Sequence, residues 1–369
     1  MISPDTFVLF LKRSGIDFFT GVPDSLLKHF VAELPISTHV IAANEGNAVG
    51  LAAGYYLATG RPACLYMQNS GLGNTVNPLL SLADPDVYGI PMVLVIGWRG
   101  KPGTKDEPQH KKQGKVTFPL LRTMGIASWV LPKTEKAASN ILRNAIREAR
   151  KRRAPVALIV EEGTFIARKK KKAVTPQGFL REEALSMILS LLGRRDIIVA
   201  TTGKTSRELF ELRKWRKEGH HRDFLTVGSM GHASSIAEGI ALAKSRRRVI
   251  CLDGDGALLM HMGAVARIGT LRSKNIIHIL LNNSAHESVG GQPTAGMGID
   301  YPAIARACGY RMVARVGTPN ELKKTLAVLL KKQGPIFLEI TICKGSRPDL
   351  GRPTVSTEEN KKTFMRFLS

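Results

Sequence analysis

The stretch "VICLDGDG", Val249 to Gly256, sets one carboxylate, Asp255, between two glycines at the end of an apolar run. A helix length later, "IIHILLNN", Ile276 to Asn283, ends a second apolar run on two asparagines. In open parallel sheets, ligands sit at the carboxyl ends of strands, often against helix N-termini. A carboxylate and an amide oxygen brought together from neighbouring strand ends suit a hard cation such as Mg²⁺, which favours oxygen ligands and substrate phosphates. Gly254 and Gly256, with Ala257 next in the chain, let the backbone approach a bulky anionic group. Gly-Asp-Gly alone reads as an ordinary turn and Asn-Asn as a loop. Their spacing over one helix and one strand favours a metal-bound diphosphate.

A second carboxylate lies far upstream. Glu45, in "HVIAANEGNAVGLAAGYYLATGRPA", ends an apolar run and opens an Ala/Gly-rich helix. A lone Glu at a helix start is usually a surface residue favoured by the dipole. This one lies between two buried-looking stretches, where burial raises its pKa.

Strands and helices must alternate to hold these groups. "PACLYMQ", "PMVLVIG" and "PVALIVE" are short apolar runs bounded by turn residues, as buried parallel strands are. "KTEKAASNILRNAIREARKR" reads as a helix with Thr134 as N-cap, and Ser3-Pro4 starts another. "FIARKKKKAVTPQGF" breaks the pattern with charge and irregular backbone. A second series follows in "DIIVATTG", "RRVICLDGDG", "IIHILLNN" and "PIFLEITI". The reading is an α/β chain of two halves, each an open parallel sheet with helices on both faces. No residue-level repeat relates them.

The 369 residues, 43% hydrophobic, suffice for two domains with real cores. Cys64, Cys251, Cys308 and Cys343 are scattered without CxxC spacing and read as reduced core residues. No apolar run spans a bilayer, and the N-terminus has no basic segment before its apolar stretch. A cytoplasmic protein is expected, with no membrane partner. Lys and Arg number 54 against 30 Asp and Glu, a net charge of +24. The runs Arg168 to Lys172 and Arg246 to Arg248 lack interleaved aromatics, so solvated loops are expected rather than a nucleic-acid groove.

The Asp255–Asn283 segment resembles the metal–diphosphate motif of the thiamine-diphosphate-dependent enzymes. The resemblance implies a pyrimidine-binding domain over residues 1–167, a basic linker at 168–178 and a diphosphate-binding domain over 179–369. It implies thiamine diphosphate and Mg²⁺ as cofactors. Asp255, Asn283 and the Ala285 carbonyl would hold the metal, with Gly254, Gly256 and Ala257 along the diphosphate. Glu45 would bond the aminopyrimidine ring and promote ionisation at the cofactor's C2 carbon. "VGSMGHASSIAEGIALA" is similar to the family's Gly-Ser-hydrophobe-Gly turn. There Gly228 would accept from the 4′-amine, and Met230 would be the wedge that bends the cofactor. On its own such a Met is more often core filling. The family builds its site between halves of two subunits, which implies a homodimer or larger homo-oligomer.

Between Ile166 and Phe179 there is no room for the third domain of the large members. Long stretches, among them "FFTGVPDSLLKHF", "KDEPQHKKQG" and "NNSAHESVGGQPT", are similar to the phosphonopyruvate-decarboxylating branch. The implied reaction converts phosphonopyruvate to phosphonoacetaldehyde and CO₂. The nearest alternative branch acts on sulfopyruvate and is often split into two subunits. A non-catalytic basic protein on this fold is a different class, and the intact Glu45, Asp255 and Asn283 weigh against it. A small anionic 2-keto acid needs cations and amide donors. Arg99, Lys105, His110 and Gln113 offer them on a Gly/Pro-punctuated loop, with Ser70 and Asn74 in "QNSGLGNTVN". Asp24, in "GVPDSLL", matches an acidic position that assists proton transfer, or else caps a helix from Ser25. One departure stands out: the catalytic Glu that many members carry six residues after the second Asn is Val289 here. Proton donation would then pass to His286, Glu287 or His110.

Overall fold

The computed structural model describes residues 1–167 and 178–369. The chain divides into two compact units, Met1–Lys172 and Ala173–Ser369. Apart from Gly178, the basic linker expected at 168–178 lies outside the described residues.

The first unit holds β1 (Phe19–Gly21), β2 (His39–Ile41), β3 (Ala63–Gln68), β4 (Met92–Gly97), β5 (Ala127–Val130) and β6 (Pro155–Val160). They form one parallel sheet in the order β2-β1-β3-β4-β6-β5. The second unit holds β7 (Ile197–Ala200), β8 (Asp223–Leu225), β9 (Val249–Gly254) and β10 (Ile276–Asn282). A short antiparallel hairpin of β11 (Ala285–His286) and β12 (Gln292–Pro293) follows, then β13 (Met312–Val316) and β14 (Ile336–Thr341). The sheet order is β13-β14-β10-β9-β7-β8, again parallel throughout. With the hairpin set aside, both sheets run second, first, third, fourth, sixth, fifth. The halves thus repeat in topology where the sequence shows no repeat.

Alternate side chains of a strand face opposite sides of its sheet. Ala63, Leu65 and Met67 of β3 enter one core cluster, and Cys64 and Tyr66 enter another. Ile198 and Ala200 of β7 likewise part from Ile197 and Val199. Each sheet is therefore covered on both faces, which is why its central strands read as continuous apolar runs. Burying each large aliphatic side chain contributes roughly 1.5–3 kcal/mol.

Several sequence expectations need correction. The strand expected through Gly256 ends at Gly254, and Asp255 opens the helix Asp255–Met260. The strand expected over residues 196–203 spans only Ile197–Ala200. Edge strands such as β5, which is only partly buried, escaped the apolar-run reading. Of the cysteines, Cys64 and Cys251 are buried and Cys308 half-buried, but Cys343 is exposed, because it lies past the end of β14. All four are free thiols. The Arg246–Arg248 run is not all solvated. Arg248 pairs with Asp196 at 3.1 Å, and Arg247 lies over the Phe367 ring. Among the described residues no helix is long and apolar enough to cross a membrane.

Candidate active site

In the second unit, β9 and β10 are neighbours, so their ends bring Asp255 and Asn283 together. The Asn283 N–H donates to Asp255 Oδ1 at 3.4 Å, and the Ala285 N–H donates to Asn283 Oδ1 at 3.1 Å. The Thr294 hydroxyl, on the segment after β12, donates to Asp255 Oδ2. Asp255 is buried, with no cationic side chain paired to it among the described residues. Burial therefore raises its pKa. A buried carboxylate without a cation is costly unless something compensates it. Its own two oxygens and the Thr294 hydroxyl are hard oxygen ligands, which fits a hard divalent ion. At the end of adjacent β7, Thr201 Oγ1 is buried without a hydrogen-bond partner, a spare hydroxyl at the same sheet edge. These residues fit a metal-bound diphosphate.

The two glycines have different surroundings. A Cβ on Gly254 would meet only Thr201 Cγ2, at 4.0 Å, so this backbone is open. A Cβ on Gly256 would lie 3.1 Å from the His286 ring. A side chain at Gly256 would crowd the His286 ring, so glycine there keeps the imidazole in place. His286 is buried, which pushes its pKa down to about 4, so it is neutral near pH 7. Gly228 and Met230 lie in the turn before the helix Ala233–Ala243, where Ser229 and Gly231 both take positive φ. A Cβ on Gly231 would lie 2.9 Å from the Ala257 carbonyl, so this turn packs against the helix that Asp255 opens.

Glu287 is no free acid. Its carboxylate accepts from Arg181 at 2.8 Å, Lys204 at 3.0 Å, Asn283 Nδ2 at 2.9 Å and the Gly345 N–H at 2.9 Å. Burial would raise its pKa, but Arg181 and Lys204 outweigh that and hold it below the ordinary carboxylate value.

In the first unit, the Asn44 side chain accepts the Asn47 N–H at 2.9 Å and starts the helix Glu45–Thr59. Glu45 is therefore its first residue. It is 5% exposed, burial raises its pKa, and Asn74 Nδ2 donates to its Oε2 at 2.7 Å. A Cβ on Gly71 would stand 2.4 Å from Glu45 Oε1, so only glycine leaves the carboxyl its place.

A second polar cluster forms where β1, β3 and β4 end. Asp24 is wholly buried, which raises its pKa. Gln68 donates to its Oδ1 at 2.7 Å and the Leu26 N–H to its Oδ2 at 2.9 Å. The helix here is Lys28–Val31, so Asp24 closes a turn rather than capping a helix from Ser25. His110 and Gln113 do not lie on a loop: both belong to the helix Pro108–Thr123. His110 Nδ1 is 2.8 Å from Asp106 Oδ1. Arg99 grips the same carboxylate with both prongs of its guanidinium, Nε at 2.9 Å and Nη2 at 2.6 Å, and its Nη1 donates to Ser25. The fork expected for an anionic substrate is thus occupied. Burial would raise the pKa of Asp106, yet the bonds from Arg99 and His110 hold it far below the usual range. Lys105 is exposed, with no ion-pair partner among the described residues. Ser70 is exposed and donates to Gln68 at 2.7 Å, while Gln113 is half-buried with its carbonyl on the Thr117 hydroxyl.

Sequence reasoning missed Asp106, Thr294, Arg181 and Lys204. Asp106 had a local signal, an Asp four residues before a His across a helix start. Asp106→Ala is expected to leave Arg99 half-buried and unpaired. The loss should be about 1–3 kcal/mol, read by urea denaturation. An unchanged unfolding midpoint would refute this bridging role.

Residues 4–118 match the thiamine pyrophosphate enzyme N-terminal TPP binding domain, and residues 201–340 match the C-terminal TPP binding domain of the same enzymes. The chain belongs to the thiamine pyrophosphate enzyme family. Within it, the chain is 34% identical to the phosphonopyruvate decarboxylase of Streptomyces viridochromogenes, over 100% of this chain and 96% of that protein. It is 35% identical to the phosphonopyruvate decarboxylase of Streptomyces hygroscopicus, over 100% and 94%. Sulfopyruvate decarboxylase of Methanosarcina acetivorans is 29% identical, over 100% and 98%.

Proposed function

We propose that this chain catalyses the thiamine-diphosphate- and Mg²⁺-dependent decarboxylation of phosphonopyruvate to phosphonoacetaldehyde and CO₂. Full-length similarity to two phosphonopyruvate decarboxylases carries the reading. Sulfopyruvate is the second candidate substrate, supported by the more distant full-length relative. The proposed setting is the cytoplasm, as a homodimer or larger homo-oligomer.

Thiamine diphosphate, when bound, supplies a carbon nucleophile and an electron sink. Asp255, Asn283 and the Ala285 carbonyl would hold Mg²⁺, with Gly254, Gly256 and Ala257 beside the diphosphate. Glu45 would share a proton with the aminopyrimidine of the bound cofactor, a task its raised pKa suits. The Gly228 carbonyl and the Met230 side chain would position the cofactor. His110, its Nδ1 tied to Asp106, has Nε2 left for proton transfer, and buried Asp24 is the second acid–base group. His286 is a neutral hydrogen-bonding group at neutral pH.

With the Arg99 fork on Asp106, Lys105 is the cation for the phosphonate, assisted by Gln113 and Ser70. A charge-assisted contact contributes ~1.5–3 kcal/mol, of which an exposed lysine keeps the lower part. Lys105→Ala should therefore cut the kcat/KM preference for phosphonopyruvate over pyruvate roughly tenfold. Arg99→Ala should lower both substrates alike, by releasing Asp106 and His110. The test is a panel of phosphonopyruvate, sulfopyruvate and pyruvate with Mg²⁺ and thiamine diphosphate, assaying CO₂ and aldehyde. Faster turnover of sulfopyruvate would replace the leading reading by the second.

A further inference from the structure

We infer that Glu287 is a positioning residue, which sets both neutral metal ligands in their working orientation. The inference rests on reading Asp255, Asn283 and Ala285 as the Mg²⁺ set. Glu287 touches both of the neutral ones. Its carboxylate accepts from Asn283 Nδ2 at 2.9 Å, and its own N–H donates to the Ala285 carbonyl at 2.9 Å.

The first contact decides which end of an amide faces which way. An asparagine presents an oxygen on one side and an NH₂ on the other. A cation needs the oxygen. With the NH₂ fixed on a carboxylate, the amide cannot flip and present its donors to the metal. The second contact takes one lone pair of the Ala285 carbonyl and leaves the other.

The carboxylate that does this is itself immobilised. Besides Asn283 it takes Arg181 Nη1 at 2.8 Å, Lys204 Nζ at 3.0 Å and the Gly345 N–H at 2.9 Å. Arg181 also forks Glu208, at 2.8 and 2.9 Å. Two cations, Arg181 and Lys204, face two carboxylates, Glu208 and Glu287. The cluster is electrically balanced, so its service to the metal ligands is orientation rather than added negative charge. Backbone geometry braces the same segment. Gly203, the residue before Lys204, has φ +95°, and a Cβ there would lie 2.7 Å from Ser288 Oγ. Outer-shell partners of metal ligands typically govern 10–100-fold in affinity.

The test needs no substrate. Intrinsic fluorescence of the full chain is followed as Mg²⁺ is titrated at fixed thiamine diphosphate. For Glu287→Gln the apparent Mg²⁺ Kd should rise at least tenfold, with cofactor binding recovered at high Mg²⁺. In an Asn283→Asp background, where both ends of the side chain are oxygen, Glu287→Gln should no longer weaken Mg²⁺ binding. Should Glu287→Gln lose its circular-dichroism signature, Lys204→Met, which removes one of the three anchors, is read the same way with a smaller rise, about threefold. Wild-type Mg²⁺ affinity in Glu287→Gln, with turnover lost, would make Glu287 a proton donor and overturn the inference. An equal weakening in both backgrounds would also overturn it. If the wild type itself shows no Mg²⁺-dependent cofactor binding, the metal reading fails first and takes this inference with it.

Discussion

Asp255→Ala is expected to bind thiamine diphosphate at least roughly a hundredfold more weakly and to show no measurable turnover. Loss of an outer-shell partner already costs 10–100-fold in metal affinity, and a direct ligand costs more. Without the metal, the diphosphate charge is left uncompensated. The fold should not suffer. Asp255 is a buried carboxylate with its pKa raised by burial and no cation beside it among the described residues. Removing such a charge relieves a desolvation cost. The unliganded variant should therefore melt no lower than the wild type, while the rise in melting temperature on adding Mg²⁺ and thiamine diphosphate disappears. Calorimetry on both forms checks this. Tight cofactor binding by the variant would remove Asp255 from the metal set.

Glu45→Gln should fold normally and lose at least ~10²-fold in turnover, the usual scale for a positioned acid–base group. Glutamine keeps an oxygen to accept from Asn74 and fits beside Gly71, which leaves no room for a larger neighbour. It lacks only the exchangeable proton. Hydrogen–deuterium exchange at C2 of the bound cofactor, followed by NMR, should slow in parallel. Exchange at the wild-type rate would exclude Glu45 from cofactor activation, whatever happens to turnover.

Sequence patterns revealed what is local and left hidden what is distant. Strands β3, β4, β6, β9, β10 and β14 were legible because both faces are buried, so most of their residues are apolar, with Asp253, His278, Asn282 and Glu339 as buried exceptions. The short outer strands carry no such run. Asp255 and Asn283 were legible as a pair because each marks the end of such a strand. The packing of the His286 ring against Gly256 was hidden, because a glycine's neighbour cannot be named from sequence. The anchors of Glu287 were invisible for the same reason. Arg181 lies 106 residues from it and Lys204 lies 83. Arg99 looked like a free cation because nothing in "GWRGKPGTKDE" shows that Asp106 folds back onto it.

The repeated strand order has a thermodynamic side. Among the described residues, each unit closes its own sheet between its own pair of apolar clusters. Cooperativity follows shared burial, so each unit has the core of a cooperative block of its own. Heat or urea should produce two transitions, and a single unfolding free energy for the whole chain has no meaning. A substitution then reports on its own block. Asp106→Ala should displace only the transition of Met1–Lys172, and Mg²⁺-set substitutions only that of Ala173–Ser369.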